Sequence, residues 1–422
     1  MAVVIPFKGI LYNPQKVDPS LTTAPPYDIV TPEFKDELYS KSPHNIIRID
    51  FGKDSADDSE THNRYTRASK FLGDWLDEGV LTNDQEPLFY CYEITYSING
   101  SERKTRGFLG AVKLEEMESG RIHPHEMTYS KPKSDRLNIL RYCKANISPI
   151  FALYSSQEKS ASSILEKTVR EDPFIKAENG DGFVHRLWRI KNTDEIEAIK
   201  NEMADKDVFI ADGHHRYETA LDFKKEMDAE GGIKSGEEPY DYVLMFLSNM
   251  EDEWLTLLPT HRIIEVDSDI KIKDTLNKHF TIQKITSDGM SDEESRQRML
   301  ETMRNSADSF GMFLTNENTY YTVSFSDTDI DIDMPDCLKK LDVSVIHKLI
   351  FEELLNVEHY EYEMDAGVAV ERAKKSSFEA VFFLKPTKIH DVKEVALAGH
   401  RMPPKSTYFY PKLLTGMVVY KF

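Results

Sequence analysis

Between Ala68 and Leu76 the apolar residues Ala68, Phe71, Leu72, Trp75 and Leu76 recur at helical spacing, and Gly79 stands where such a helix can end. The pattern then changes period. Leu88–Ile98 and Glu102–Leu114, rich in Phe, Tyr, Ile, Thr and Val, flank Asn99-Gly100, the strongest short signal for a tight hairpin. The short apolar run Val208–Ala211 predicts a buried strand that feeds a helix from about Tyr217, marked by Tyr217, Ala220, Leu221 and Met227. Tyr242–Ser248 reads as another strand, and Met1–Leu11 reads as a strand rather than a signal peptide. Ile346, Leu349, Ile350 and Leu354 predict a further helix with Ser344 as N-cap. Polar stretches at Gly52–Thr61, Asp228–Pro239, Ser287–Ser295 and Ser326–Asp336 read as loops. Strands and helices are interspersed and one hairpin is strong, so the expected class is α+β with a mixed sheet.

Composition narrows the function more than the fold. A chain of 422 residues suggests two or three domains, here divided as 1–250 and 251–422, both α+β. The formal charge of −20 argues against a nucleic-acid partner, yet a few local cations and backbone amides can still hold a small anion. Three cysteines with no CxxC pair suit a reducing compartment, and no long apolar run predicts a membrane span, so a cytoplasmic protein is expected. Asp327, Asp329, Asp331 and Asp333 alternate as in a calcium loop. Counted from Asp327, however, the sixth and twelfth positions hold Ile332 and Leu338, so an acidic connector is the better reading.

The segment VFIADGHHRYETA, Val208–Ala220, carries the most chemistry. A strand ends at Asp212, Gly213 permits a sharp turn, and His214, His215 and Arg216 crowd a helix start, where unpaired amides and the helix dipole favour an anion. The guanidinium of Arg216 matches phosphate oxygens and is expected to face solvent in an empty site. The alternatives are a helix capped by Asp212 with surface histidines, or vicinal histidines on a metal. Neither a GxxxxGK[ST] loop nor a GxGxxG turn after a strand occurs, so any nucleotide is held by another device.

A second polar block runs from Arg121 to Tyr154, with His123, His125, Glu126, Lys131, Lys133, Arg136, Asn146 and Ser148. Glu126 is a candidate general base, while His-Pro-His-Glu is underdetermined as a metal site. APPYDI, Ala24–Ile29, forms a rigid turn presenting Asp28, and His400–Thr407 combines cations, hydroxyls and prolines in a way that suits an anionic substrate group. The Pro259–Arg262 stretch is a shorter version of the same composition. Arg136, Asn146, Ser148, Arg401 and Lys405 are the candidate substrate-binding residues. If the polar blocks form one site, His125, Glu126, Arg136, His215 and Arg216 line one concave surface.

APPYDI, HPHEMT, KSDRLNIL, NISPIFALY, ADGHHRYETA, LPTHR and MPPKSTYFYPKL together, nearly end to end, resemble the prokaryotic domain-of-unknown-function family DUF 1015. ADGHHRYETA is also similar to the phosphate-binding segment of the ParB/sulfiredoxin-like fold, which includes partition proteins that bind CTP, sulfiredoxin and an ADP-dependent serine kinase. That resemblance implies nucleotide phosphates on Asp212, Gly213, His214, His215 and Arg216, with Asp212 near Mg²⁺ and ADP or ATP as co-substrate. It also implies a carboxylate that activates a substrate hydroxyl, for which Glu126 and Asp28 are candidates beside His215. The leading expectation is a phosphotransferase or phosphohydrolase acting on a small polar metabolite, serine and phosphoserine among them. The competing readings are a non-catalytic nucleotide sensor and a metal-dependent hydrolase built on His123, His125, His214 and His215.

Overall fold

The computed structural model describes residues 2–98, 100–116, 120–126, 131–231, 236–267, 270–286, 288–306, 309–325, 332–376 and 378–422, with backbone only for 131 and 132. Asn99, residues 127–130 of the second polar block, Ser287 and the acidic run 326–331 lie outside them. The architecture is α+β. The chain divides into two compact units, one of Met1–Pro124, Thr128–Thr256 and Pro411–Phe422, the other of His125–Met127 and Leu257–Tyr410.

The first unit is built on a mixed sheet of nine strands among the described residues. Its centre is the long hairpin Phe89–Ile98 and Ser101–Lys113, in register from Tyr90↔Leu109 to Ile98↔Ser101, with Gly100 at φ +73° in the turn. Tyr242–Asn249 pairs antiparallel with the second hairpin strand and parallel with Ile150–Tyr154. Ile150–Tyr154 in turn pairs antiparallel with Val208–Asp212. Ile150–Tyr154 and Tyr242–Asn249 carry near-continuous apolar runs because each face of the sheet is covered. A core of Phe89, Phe108, Ile150, Ile210, Tyr217 and Met245, among others, fills one side. The helix Arg64–Asp77 buries Ala68, Leu72 and Trp75 and starts with a capping box of Asn63 and Thr66. Gly79, at φ +67°, follows its end.

The second unit is a separate antiparallel sheet, ordered Phe280–Lys284, Thr319–Phe325, Ser309–Leu314, Ala380–Phe383, His261–Glu265 and His359–Glu363. Two local expectations need correction. The helix after Gly213 begins at His214 rather than near Tyr217, because the turn is completed by one residue, Gly213. Ser344 does not cap the helix Ile346–Leu354. Helical backbone already begins at Asp342, which puts Ser344 inside the preceding turn with its hydroxyl buried and unpartnered among the described residues. No helix of the described residues is long and apolar enough to cross a membrane.

Candidate functional site

The Val208–Asp212 strand arrives at the candidate site with a bulge. Its pairing runs Val208↔Tyr154, Phe209↔Leu153 and Ile210↔Ala152, then jumps to Asp212↔Phe151, leaving Ala211 as the extra residue. Such an insertion bends the strand and re-aims the next side chain, here Asp212. Gly213 follows at φ +97°, and a Cβ there would lie 2.8 Å from Arg216 Nε. Both the backbone angle and the crowding against Arg216 disfavour a larger residue. The helix His214–Glu230 then starts without a side-chain cap. Its first internal bond runs from the Tyr217 amide to the Gly213 carbonyl, so the His214, His215 and Arg216 amides have no acceptor within the helix.

Arg216 is not the solvent-facing arginine the sequence suggested. Its side chain is 12% exposed. Nη2 donates to Asp212 Oδ2 at 2.6 Å, and Nη1 donates to the Pro149 carbonyl and lies 3.5 Å from Ser148 Oγ. Lys412 Nζ takes the other Asp212 oxygen. The guanidinium packs beneath Gly213 because the absence of a Cβ leaves room for it. A Mg²⁺ ion on Asp212 would therefore have to displace Lys412 or Arg216.

Arg136, buried in the helix Lys131–Cys143, anchors a second ion-pair cluster. Its Nη1 donates to Asp50 Oδ1 at 2.8 Å, its Nη2 to the Asp50 carbonyl at 2.6 Å, and its Nε to Asp135 Oδ2 at 3.0 Å. The Tyr27 ring lies 4.0 Å from the guanidinium carbon. Burial opposes the Arg136 charge, but Asp50 and Asp135 outweigh it and hold its pKa above the usual value. Asp135 is half-buried, and Arg136 and Arg64 keep it below the usual carboxylate range. Asp50 goes the other way. Burial pushes its carboxyl up against the pull of Arg136 and Arg216, and its Oδ2 has no hydrogen-bond partner among the described residues. A carboxylate with one bare buried oxygen is the member of the cluster that most readily takes a proton.

These groups meet around a cavity of ≈ 40 Å³, lined on its polar side by Asp50, Arg136, Asn146, Ser148, Arg216 and Thr219. Ile139, Leu140, Ile147, Ile150 and Val243 supply the apolar wall. Four residues singled out in the sequence, Arg136, Asn146, Ser148 and Arg216, thus share one cavity. Asn146 also has a structural task, since its Oδ1 accepts the Leu244 amide at 2.9 Å and ties neighbouring strands together. Asp50 is the residue the sequence reading missed. The signal was a lone carboxylate after Ile46, Ile47 and Ile49, an isoleucine cluster interrupted by Arg48.

The other candidates fall elsewhere. Asp28 is exposed on the short turn Tyr27–Ile29, close enough to influence the Tyr27 hydroxyl, whose pKa burial raises. His214 is buried in the first turn of its helix and His215 is half-buried beside it. His123 lies against Asp207, with Nε2 3.1 Å from Oδ1, and stacks on Phe209. Lys133 forms an ion pair with the buried Glu218. His125 and Glu126 belong to the second unit: His125 Nε2 is 2.9 Å from Thr407 Oγ1, and Glu126 Oε1 accepts the Thr407 amide at 3.0 Å. Arg401 and Lys405 are also in the second unit, Lys405 with an exposed side chain and φ +57°. The division of the chain therefore separates His125 and Glu126 from Arg136, His215 and Arg216. Among the described residues, none of His123, His125, His214 and His215 belongs to a group close enough to share a metal; the group that does is His390, Asp391 and Glu394.

A family model described as "Protein of unknown function (DUF1015)" matches residues 4–344. The chain belongs to the DUF1015 family. The family match includes the Asp50, Arg136 and Asp212–Arg216 positions, while the closing MPPKSTYFYPKL segment lies beyond it. No functionally curated protein matches this DUF1015 chain. Among solved structures it is similar, at 12% identity and TM-score 0.34, to a conserved hypothetical protein from Pyrococcus furiosus, covering 70% of this chain and 92% of that one. A free serine kinase in complex with AMP matches at 12% identity and TM-score 0.34, over 72% of this chain and 94% of that one. SbnI with a C-terminal truncation, from Staphylococcus aureus, matches at 12% identity and TM-score 0.37, over 73% and 85%.

Proposed function

We propose that this DUF1015 protein is a small-molecule phosphotransferase whose site is the Asp50–Arg136–Arg216 cavity together with the Gly213 turn. The observation that carries the reading is Asp50. It is a buried carboxylate with one oxygen on Arg136 and the other unpartnered, in the same cavity as Ser148 and Arg216. In this reading the phosphates of ADP or ATP lie on the amides of His214, His215 and Arg216, where helix geometry offers donors and positive potential. The strand, glycine turn and uncapped helix suit a ParB/sulfiredoxin-like core. Arg216 is a positioning residue: its ion pair with Asp212 and its bond to Pro149 hold the turn in shape, and its charge adds to the local field.

The cavity has room for a few water-sized groups. That is the size of the hydroxymethyl end of a small metabolite such as serine. The substrate hydroxyl loses its proton to Asp50 Oδ2 as its oxygen bonds to the terminal phosphorus, and the phosphorus–oxygen bond to the nucleotide breaks. A carboxyl raised by burial is the stronger base for that step. Arg136, held charged by two carboxylates, keeps Asp50 in place and balances the field. His215 and Asp28 are within the same unit and are the alternatives for the proton.

The test is phosphorus NMR on the full chain with Mg²⁺, a nucleotide (ADP or ATP) and serine. A new phosphomonoester resonance that is lost in Asp50→Asn, with the folded state retained by circular dichroism, supports the reading. Transfer that survives Asp50→Asn unchanged removes Asp50 from the mechanism. No transfer together with no nucleotide binding overturns the proposal as a whole.

A further inference from the structure

Two hydroxyl-bearing residues line the Asp50–Arg136–Arg216 cavity, Ser148 and Thr219. They are not equivalent. Thr219 is 1% exposed, and its Oγ1 donates to the His215 carbonyl at 2.6 Å, a bond that ties it back along its own helix. Ser148 is half-buried, and its side chain is held far less firmly. Among the described residues its Oγ has one hydrogen-bonding neighbour, Arg216 Nη1 at 3.5 Å, at the outer limit of such a bond. Ser148 is therefore the lining residue whose hydroxyl is still available for chemistry.

The backbone beneath that hydroxyl is fixed. Pro149 follows Ser148 and steers it toward extended backbone. The Pro149 carbonyl accepts from Arg216 Nη1, and Ile150 opens the strand Ile150–Tyr154. Arg216 also connects the hydroxyl to the Gly213 turn. One end of its guanidinium lies 3.5 Å from Ser148 Oγ, and the other, Nη2, lies 2.9 Å from where a Gly213 Cβ would stand. Ser148 thus stands one guanidinium away from the turn. Asp50 lines the same cavity, with its Oδ2 unpartnered among the described residues, and is close enough to Arg216 to feel its charge.

We infer that Ser148 is itself a phosphoryl acceptor, modified by the chain's own site when a nucleotide occupies the Gly213 turn and no small-molecule hydroxyl occupies the cavity; this rests on the reading of the first unit given above. In the step, the Ser148 Oγ–H proton passes to Asp50 as Oγ bonds to the terminal phosphorus. The bond from that phosphorus to the nucleotide's bridging oxygen breaks, and its electron pair leaves with the shortened nucleotide. The product is a phosphoserine beside the Arg216 guanidinium, whose fork of donors suits phosphate oxygens. It places a fixed negative charge where a substrate hydroxyl would otherwise enter.

Intact-mass spectrometry of the full chain after incubation with Mg²⁺ and ATP, or in a separate arm ADP, tests this, with equilibrium dialysis of the same nucleotide alongside. The expected result is the gain of one phosphoryl group, mapped to Ser148 by peptide fragmentation. The gain is expected to vanish in Ser148→Ala and to be at least about a hundredfold slower in Asp50→Asn. Mapping on the unaltered chain decides the site even if a variant misfolds. Nucleotide binding without phosphoryl gain in either arm, or gain that maps elsewhere or persists in Ser148→Ala, overturns the inference and leaves the reading of the first unit standing. An Asp50→Asn chain that gains the group as fast as the parent overturns the step as written. Neither binding nor gain overturns both the inference and the reading beneath it.

Discussion

The two units treat buried arginine in opposite ways. In the first, Arg136 faces Asp50 and Asp135, and Arg216 shares Asp212 with Lys412, so these cations stand beside carboxylates. In the second, Arg262 donates to the Thr260 and Lys405 carbonyls and to His347, which burial keeps neutral. Pairing with carboxylates sets geometry: it fixes the turn at Gly213 and leaves one deliberate imbalance, the bare oxygen of Asp50. The first arrangement suits chemistry on a placed atom, the second ties separate backbone segments together.

The largest expected effect follows from the paired cluster. Arg136→Ala strands the buried Asp50, and loss of one partner of a buried pair costs about 3–5 kcal/mol. Because Trp75, Trp188 and Trp254 all lie in the first unit, tryptophan fluorescence in urea reads that loss directly. A change under about 1 kcal/mol would mean that the cluster does not hold the first unit together.

Acidification acts next, and unequally. Burial pushes His261 and His347 in the second unit down to about 3, and His185 in the first unit likewise to about 3. Each is neutral when folded but takes a proton when unfolded as pH drops below about 6.5, so folding stability present at neutral pH is lost on the way down. At about 1.4 kcal/mol per pH unit for each group, the second unit is expected to lose about 3 kcal/mol between pH 6.5 and 5, and the first about half of that. Circular dichroism should then report unfolding ahead of tryptophan fluorescence at pH 5. Coincident transitions, or fluorescence leading, would break the contrast.

A smaller effect, about 1–3 kcal/mol, is expected for Gly213→Ala, which must take a positive φ and push against the Arg216 guanidinium. It should also weaken nucleotide binding, since the turn and the helix start move together. At the small end, Lys133→Met at the ion pair with Glu218 should leave binding at the first site unchanged and cost stability only, by about 1 kcal/mol, as a variant outside the cavity lining.

Much of this frame was readable in the chain itself. The hairpin around Gly100, the helix ending before Gly79 and the strand that runs into Gly213 depend on periodicity and turn residues within a dozen positions, and they stand as expected. What escaped was every feature made by distant partners. Arg136 reaches Asp50 across 86 positions and Lys412 reaches Asp212 across 200, so nothing local announces either pair. Arg216 was expected in solvent for the same reason: its neighbours at Pro149 and Ser148 come from another strand connection. The bulge at Ala211 is likewise invisible in a run of apolar residues.

The claim that phosphates rest on the Gly213 turn is tested most directly by labelling the histidine backbone amides with nitrogen-15 and titrating the protein with ADP. The account predicts that the His214 and His215 amide resonances shift saturably, while those of His261 and His347 in the second unit stay in place. Saturable ADP binding that leaves His214 and His215 unmoved would contradict it.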